Sequence, residues 1–524
     1  MKYQSQSGYL LVWIVGFIAT IGIIIIAATT IVMMSLSNSV RTNMNQLALN
    51  IADAGINYYL WHLSHSANDF KDGNTGSTLI SGGANDGFYG PFEHAYKDDN
   101  GAVIGKYTLY VKPKSSGSSI ATVRSVGETN NRESVRVIEA EIGAPSFASY
   151  ALVGDVALWF GNTESANGPI HSNVGIRMDG ANSDDVTSAN ATYVPPANLG
   201  GNNSTSRPGV WCSTSVTTPI NCNTRSKADW RYPVPSIDFN AITGDLCNLK
   251  KIAFQSDAST AALASSATAC SNVSAARTSA YIPRVAATFN ARRGYLIELN
   301  SNSTYNLFNV TNETYSYTNN STYTSSYTTA LTKTLIANNI ALPSNGVIFV
   351  EDNVWVRSNP TFNGRVTIAS GRLASASDQT TAVIADDVKY AQKDGTDAIG
   401  IIAEDDIVIA PYAPPKPGDS ATNYPFEVDG ALIAKDGSVL FPSTYIGKNT
   451  PVWSGTSSKK LVYYGSIATR QLWTWLHTSS GTYTRGFQYS ETSFDYNLQY
   501  APPPSFPITS TYDIIKWREI LVSP

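Results

Sequence analysis

The sequence predicts an α+β N-terminal part, made of a long hydrophobic α-helix and a small antiparallel sheet, and then a large all-β domain wound as a parallel β-helix or solenoid. Three observations carry that expectation. Residues 9–34 are largely apolar, three runs between Lys106 and Ile142 alternate in polarity, and apolar runs with an Asp-containing corner recur after Gly346.

The helix comes first. No charge stands between Lys2 and Arg41, and the run from Tyr9 to Met34 exceeds the roughly 20 residues that a helix needs to cross a bilayer. The expected membrane segment is 9–36. No proline occurs before Pro91, so the helix continues through 9–66, weakened locally at Gly16, Gly22 and Gly55. After Arg41 the apolar positions Met44, Leu47, Ile51, Ile56, Tyr59, Leu60 and Leu63 form a stripe suited to packing on a globular head. At 1.5 Å per residue such a helix reaches about 87 Å, far beyond a simple anchor. A short leader with one Lys, then Gly8-Tyr9, then the apolar run places the cut before that run, unlike a secretory signal. Residues 1–8 are then a leader peptide, with an uncleaved signal anchor as the alternative.

The segment SQSGYLLVWIVGF resembles the class III leader of type IV pilins, and residues 1–66 most resemble the large PilX-type minor pilins and their pseudopilin relatives. The stretch QLALNIADAGINYYLWHL, Gln46–Leu63, is similar to that family's helix continuation, with Asp53 where Glu is usual. The resemblance implies that a prepilin peptidase cuts after Gly8 and leaves a methylated Tyr9 at the new N-terminus. It implies other pilins and the pilus assembly machinery as partners. It also implies a single-pass stay in the cytoplasmic membrane before assembly and display on the pilus or cell surface after it. One departure stands out: the family's Glu at the fifth position after the cut is Trp13 here. In the family that carboxylate neutralises the amino terminus of the subunit above. A subunit with none above it needs no such partner, and an unpaired carboxylate in lipid is costly. Trp13 therefore favours assembly at the tip; an aromatic at one edge of the bilayer is the plainer reading.

Composition suits an exported head. Charged residues make up 15%, against about 25% in ordinary domains. The net charge of -4 comes with no Lys/Arg block, so neither nucleic-acid binding nor a polybasic membrane patch is supported. The four cysteines, Cys212, Cys222, Cys247 and Cys270, contain no Cys-x-x-Cys pair. Disulfides are expected, as the local loops Cys212–Cys222 and Cys247–Cys270, rather than a zinc site. No cofactor is expected.

Next, the runs KYTLYVK, IATVRSV and SVRVIEAEI, separated by polar turns, predict a three-stranded meander. Packed on the helix it makes a small αβ unit over 67–144, with Pro145 marking the boundary. The head, 145–524, is expected as a β-helix with insertions near 200–335 and a C-terminal cap at 490–524. Equivalent apolar positions at Ile348, Val366, Val383 and Ile401 suggest coils about 18 residues apart, with loop insertions before Leu432 and Val462. NGPIHSNVGIRMDG reads as the first coil; His171 and Ser172, adjacent on a strand, point to opposite faces and do not meet there.

The acidic corners Asp352, Asp387, Glu404, Asp405 and Asp436 recur in most coils, which favours turn chemistry. A calcium ladder on Asp352, Asp387, Asp405 and Asp436, or carboxylates of a glycan-cleaving β-helix enzyme, are the alternatives. The Thr/Ser/Asn/Tyr tract from Ser303 to Thr329 offers Tyr305, Tyr315, Tyr317, Tyr323 and Tyr327 as candidate ligand contacts on a host-cell, surface or glycan-binding patch. A plain solvated hairpin is the competing reading. FDYNLQYAPPPSFP followed by IIKWREI resembles an ending of large pilin-like surface proteins, and Phe506, Ile514 and Trp517 are expected to cover an open end of the solenoid. The expected function is that of a non-enzymatic minor pilin. A membrane-anchored glycan-active enzyme and a type II secretion pseudopilin remain as alternatives.

Overall fold

The computed structural model describes residues 7–520 apart from 67–68, 114–119, 131–133, 144, 162–163, 214–228, 267–269, 271–274, 285–292, 315–316, 319–321, 324–326, 375–376, 414–424, 443–451, 454–459, 480–481, 488–489, 500 and 510–511. The chain divides into two compact units. One comprises Met1–Lys114, Ile120–Gly143 and Tyr512–Pro524; the other comprises Ser115–Ser119 and Ala144–Thr511.

In the first unit a single helix, α1, spans Ser7–His65. Thr20, Thr29 and Thr30 turn their hydroxyls back to the carbonyls of Phe17, Ile25 and Ile26, so these groups need no water. The helix is long and apolar enough to cross a membrane. Its second half behaves differently: Ala48, Ile51, Ala52, Ile56, Tyr59 and Leu63 are fully buried against strands β2 (Val103–Lys112), β3 (Ile120–Thr129) and β4 (Val135–Gly143). Each large side chain buried in this way contributes about 1.5–3 kcal/mol. Gly127 lets the backbones approach, because a Cβ there would overlap the Ala48 carbonyl and the Ala52 amide.

Two further strands extend the expected meander. The strand β1 (Tyr89–Lys97) pairs with β2, and the C-terminal strand, Asp513–Ile520, pairs with β4, giving the all-antiparallel order β1-β2-β3-β4-C-terminal strand. The sequence reading missed β1 because Pro91 and three charged or imidazole side chains break its alternation. The C-terminal strand corrects the expected cap. Ile514 and Trp517 lie opposite Ile142 and Ala140 of β4 and extend the small sheet, so they cover no solenoid end.

The second unit is built from two large sheets. In the first, strands lie in the order 230–231, 186–188, 170–172, 152–154, 461–469, 426–434, 398–403, 365–370, 347–350, 281–282, every neighbour parallel. Apolar side chains stack along it in register: Ile348, Ile368, Ile401, Leu432, Ile467, Leu152, Ile170 and Val186. In the second sheet, strands 294–300, 353–359, 382–384, 407–409, 439–440 and 473–474 are parallel neighbours, extended at one end by the antiparallel strands 304–313 and 331–341. The chain alternates between the two sheets, and the two sheets' inward side chains share one core.

This alternation corrects the expected repeat. Val383 belongs to the second sheet, opposite Trp355 and Val408, while Val366 faces Ile399 in the first. The spacing of about 18 residues is therefore not one kind of step: Ile348 to Val366 stays within the first sheet, whereas Val366 to Val383 and Val383 to Ile401 cross to the second sheet and back. The longer steps to Leu432 and Ile467 also join neighbouring strands of the first sheet, and the loop insertions expected there fall largely on 414–424, 443–451 and 454–459, outside the described residues.

The outer face of the first sheet is covered as well, which is why its strands read as continuous apolar runs such as AIGIIA. The cover is α2 (Ala241–Gln255), whose Ile242, Leu246, Leu249, Ala253 and Phe254 are buried. The polyproline tail joins it: Thr367 donates to the Pro504 carbonyl at 2.6 Å, Arg365 to those of Ala501 and Pro502, and Phe506 packs beside Leu498 in the same cluster. Phe506 therefore covers a sheet face rather than a solenoid end. Next to Gly143, which pairs with Asp513 in the first unit, Pro145 and Phe147 in the second unit bond Thr509 and Pro507.

Candidate functional site

The processing and assembly residues lie at the start of α1. Gly8 and Tyr9 are helical. Trp13 is 71% exposed, and nothing approaches Gly16 or Gly22 within 4 Å. From Leu10 to Met34 every large apolar side chain is exposed, so this half of the helix is a bare greasy cylinder in search of cover. Further along, Asp53 accepts hydrogen bonds from Trp517 Nε1 at 3.2 Å and from Asn57 Nδ2 at 3.1 Å. The carboxylate at this position thus fastens the C-terminal strand to the helix, a partner that lies 464 residues away in sequence.

Cys247 and Cys270 form a disulfide with Cα atoms 5.1 Å apart, tying α2 to the segment after it. Cys212 is also disulfide-bonded; Cys222 lies outside the described residues.

Of the tyrosine patch, Tyr305 is fully buried and donates its hydroxyl to the Ser279 carbonyl at 2.6 Å. It is a core residue with no surface to offer a ligand, contrary to the expectation for this tyrosine. Its side chain falls on the inward side of the strand alternation Tyr305, Leu307, which the polar tract concealed. The backbones of Tyr317 and Tyr323 are paired in a short hairpin, and Tyr327 opens a helical turn. Tyr315 lies outside the described residues.

The acidic corners form no carboxylate stack. Asp387 sits at a different corner from the others, accepting from the Glu427 amide at 3.0 Å and pairing with Lys389. On the remaining corner, cations interleave with the acids. Arg372 pairs with Asp352 and Asp378, and its amide donates to Glu404 at 2.8 Å. Lys435 and Arg470 hold Asp436, and Arg470 reaches Asp155 at 3.5 Å. Asp155 in turn accepts from Asn173 Nδ2 at 2.7 Å. The result is a charge-paired ladder along the turns that follow the first sheet's strands. Among the described residues, no group of three or more His, Cys, Asp or Glu is placed to hold a metal.

The electrostatics follow from that pairing. Burial opposes ionisation of Asp436, but Lys435, Gln379 and Arg470 outweigh it and hold the carboxyl below its usual range. Among the described residues Asp405 has no such partner, and burial, then Asp406, Asp436 and Glu404, push it up to about 6. The sequence reading counted the acids and overlooked Arg372, Lys435 and Arg470 at equivalent corners, where the signal lay in plain view.

His171 is buried, with Nδ1 against Thr187 Oγ1 and Nε2 against Asn173 Oδ1, both at 3.0 Å, and burial lowers its pKa. Ser172 donates to the Val156 carbonyl and accepts from the amides of Val174 and Gly175. Its hydroxyl is committed to the turn.

No family model matches the chain, and no curated protein matches it. Among solved structures it is similar to the competence-associated pilin ComZ from Thermus thermophilus, at 13% identity, covering 91% of this chain and 98% of that one, with a TM-score of 0.27. At that level the similarity carries no argument, and the functional reading rests on the chain's own residues.

Proposed function

We propose that this chain is a non-enzymatic minor pilin of the type IV pilus, PilX-like at its N-terminus, which displays a large parallel β-solenoid head. The observation that carries the reading is α1 itself. One unbroken helix presents bare apolar surface from Leu10 to Met34 and then seats Ala48 to Leu63 on an antiparallel sheet. The first half suits lipid before assembly and the packed interior of a filament after it. Neither setting tolerates an unpaired charge, and none occurs between Lys2 and Arg41.

Trp13, exposed and uncharged, supports placement at the tip, since it offers no carboxylate to a subunit above. The in-register parallel strands of both sheets support the solenoid reading of the head, and the charge-paired corner supports turn chemistry over catalysis. The head would serve filament initiation, adhesion or contact with a surface or glycan. A type II secretion pseudopilin shares the same N-terminal chemistry and is separated by where the subunit accumulates.

Mass spectrometry of the mature N-terminus tests the class. A chain starting at methylated Tyr9 is expected, and a retained Met1–Gly8 leader overturns it. Immunogold labelling of sheared fibres then tests placement: label at fibre ends supports the tip, and label along the shaft or on none overturns it.

A further inference from the structure

We propose that Lys250 and Glu351 become joined by a side-chain amide bond in the folded head, with Tyr281 holding the carboxyl group. The inference is independent of the pilin reading. Lys250 lies on α2, and Glu351 follows the 347–350 strand, 101 residues later. Lys250 Nζ meets Glu351 Oε1, and the Tyr281 hydroxyl donates to Glu351 Oε2. The side chains of Lys250 and Glu351 are only 1% and 9% exposed, and Tyr281 is fully buried. The Lys250 nitrogen also lies 5.8 Å from the centre of the Phe254 ring and 6.0 Å from that of Tyr281. Tyr281 belongs to the apolar cluster between α2 and the first sheet, together with Leu246, Phe254 and Phe349.

Such surroundings penalise a charged pair, because each buried ion loses its hydration. The bond-forming step starts with one proton passing from Nζ to Glu351, which gives a neutral amine and a carboxylic acid. That neutral pair is the reactive one. The Nζ lone pair adds to Glu351 Cδ, while the Tyr281 hydroxyl bonds Oε2, where negative charge builds. The Cδ–Oε1 bond breaks, and Oε1 departs as water with two protons that began on Nζ. Ammonium plus carboxylate becomes amide plus water, net charge zero on both sides, with no oxidant or reductant. Groups held in contact by a fold react at effective molarities on the order of 10⁵–10⁸ M, which replaces the activation that free carboxylates require. The product is uncharged and suits the site better than the ions it replaces.

The test uses the full chain. Its intact mass is expected to fall one water below the mass calculated for the chain after correction for its observed N-terminus and disulfides, and a proteolytic digest should yield the Lys250 and Glu351 peptides linked. On a reducing denaturing gel the wild type should run ahead of Lys250→Met, because the ring closed between residues 250 and 351 survives reduction. An unreduced mass, with both peptides recovered separately, overturns the proposal whether or not any variant folds. A one-water deficit that persists in Lys250→Met or Glu351→Leu places the bond elsewhere and overturns it equally.

Discussion

Ile467 lies in parallel register with Leu152, so the last long strand of the head stacks directly on its first. The strands from residue 152 onward add to the sheet in one direction, and those from 281 to 469 arrive from the other. The two series meet in mid-sheet, and Arg470 clasps the seam by holding Asp436 of one series and Asp155 of the other.

Replacing Arg470 with Met should therefore weaken the seam more than a typical surface change. The loss of charge-assisted bonds to partly buried carboxylates is expected to cost about 1–3 kcal/mol. Chemical denaturation of the full protein reads it, and protease cleavage should appear near residues 155 and 470 before it appears elsewhere. An unchanged midpoint with no new cleavage would show that the apolar register holds the seam alone.

Gly127→Ala should disturb the seating of α1, since even a methyl group meets the helix backbone at Ala48 and Ala52. Overpacking of this kind costs about 1–3 kcal/mol. Hydrogen exchange is the direct measurement: amides from Ala48 to Leu63 should lose protection while those of the head keep theirs.

The C-terminal strand should loosen at acid pH. Burial alone would raise the Glu139 carboxyl, but hydrogen bonds and charge from Arg518 and Arg124 outweigh burial and hold it below its usual range. A depressed carboxyl contributes stability that is fully present above the unfolded value of about 4.3 and is lost as pH falls through the lower, folded value. Exchange protection of residues 513–520 should fall over that window in wild type, and Glu139→Gln should flatten the dependence.

Asp405 should behave in the opposite sense. Its raised value, about 6, means that ionisation in the folded state is unfavourable. The penalty is absent below the unfolded value of about 3.9 and grows as pH rises through 6. Asp405→Asn should therefore raise the melting temperature at pH 8 and leave it nearly unchanged at pH 3. Calcium added to the wild type at pH 8 should not raise it; a clear rise would revive the ladder reading of these corners.

Much of the first unit was legible because its signals are local. An uncharged apolar run needs no partner to declare itself, and the alternation in IATVRSV already states which face is buried. The topology was not. Nothing near Leu152 announces Ile467, because parallel register depends on which strands end up adjacent. The apolar face of α2 was readable at Ile242, Leu246, Leu249 and Ala253, but Gly244 and the short spacing between polar residues hid it. Tyr305 misled for a related reason: a tyrosine in a polar tract looks exposed until its strand acquires a sheet to lie on.

Gly143 pairs with Asp513 in the first unit and Pro145 with Thr509 in the second, so the segment that enters the head and the segment that leaves it are zipped to each other within each unit. Within each unit, the two segments are therefore held by hydrogen bonds as well as by the covalent chain. A single cut in either segment would leave a severed molecule whose pieces still hold together.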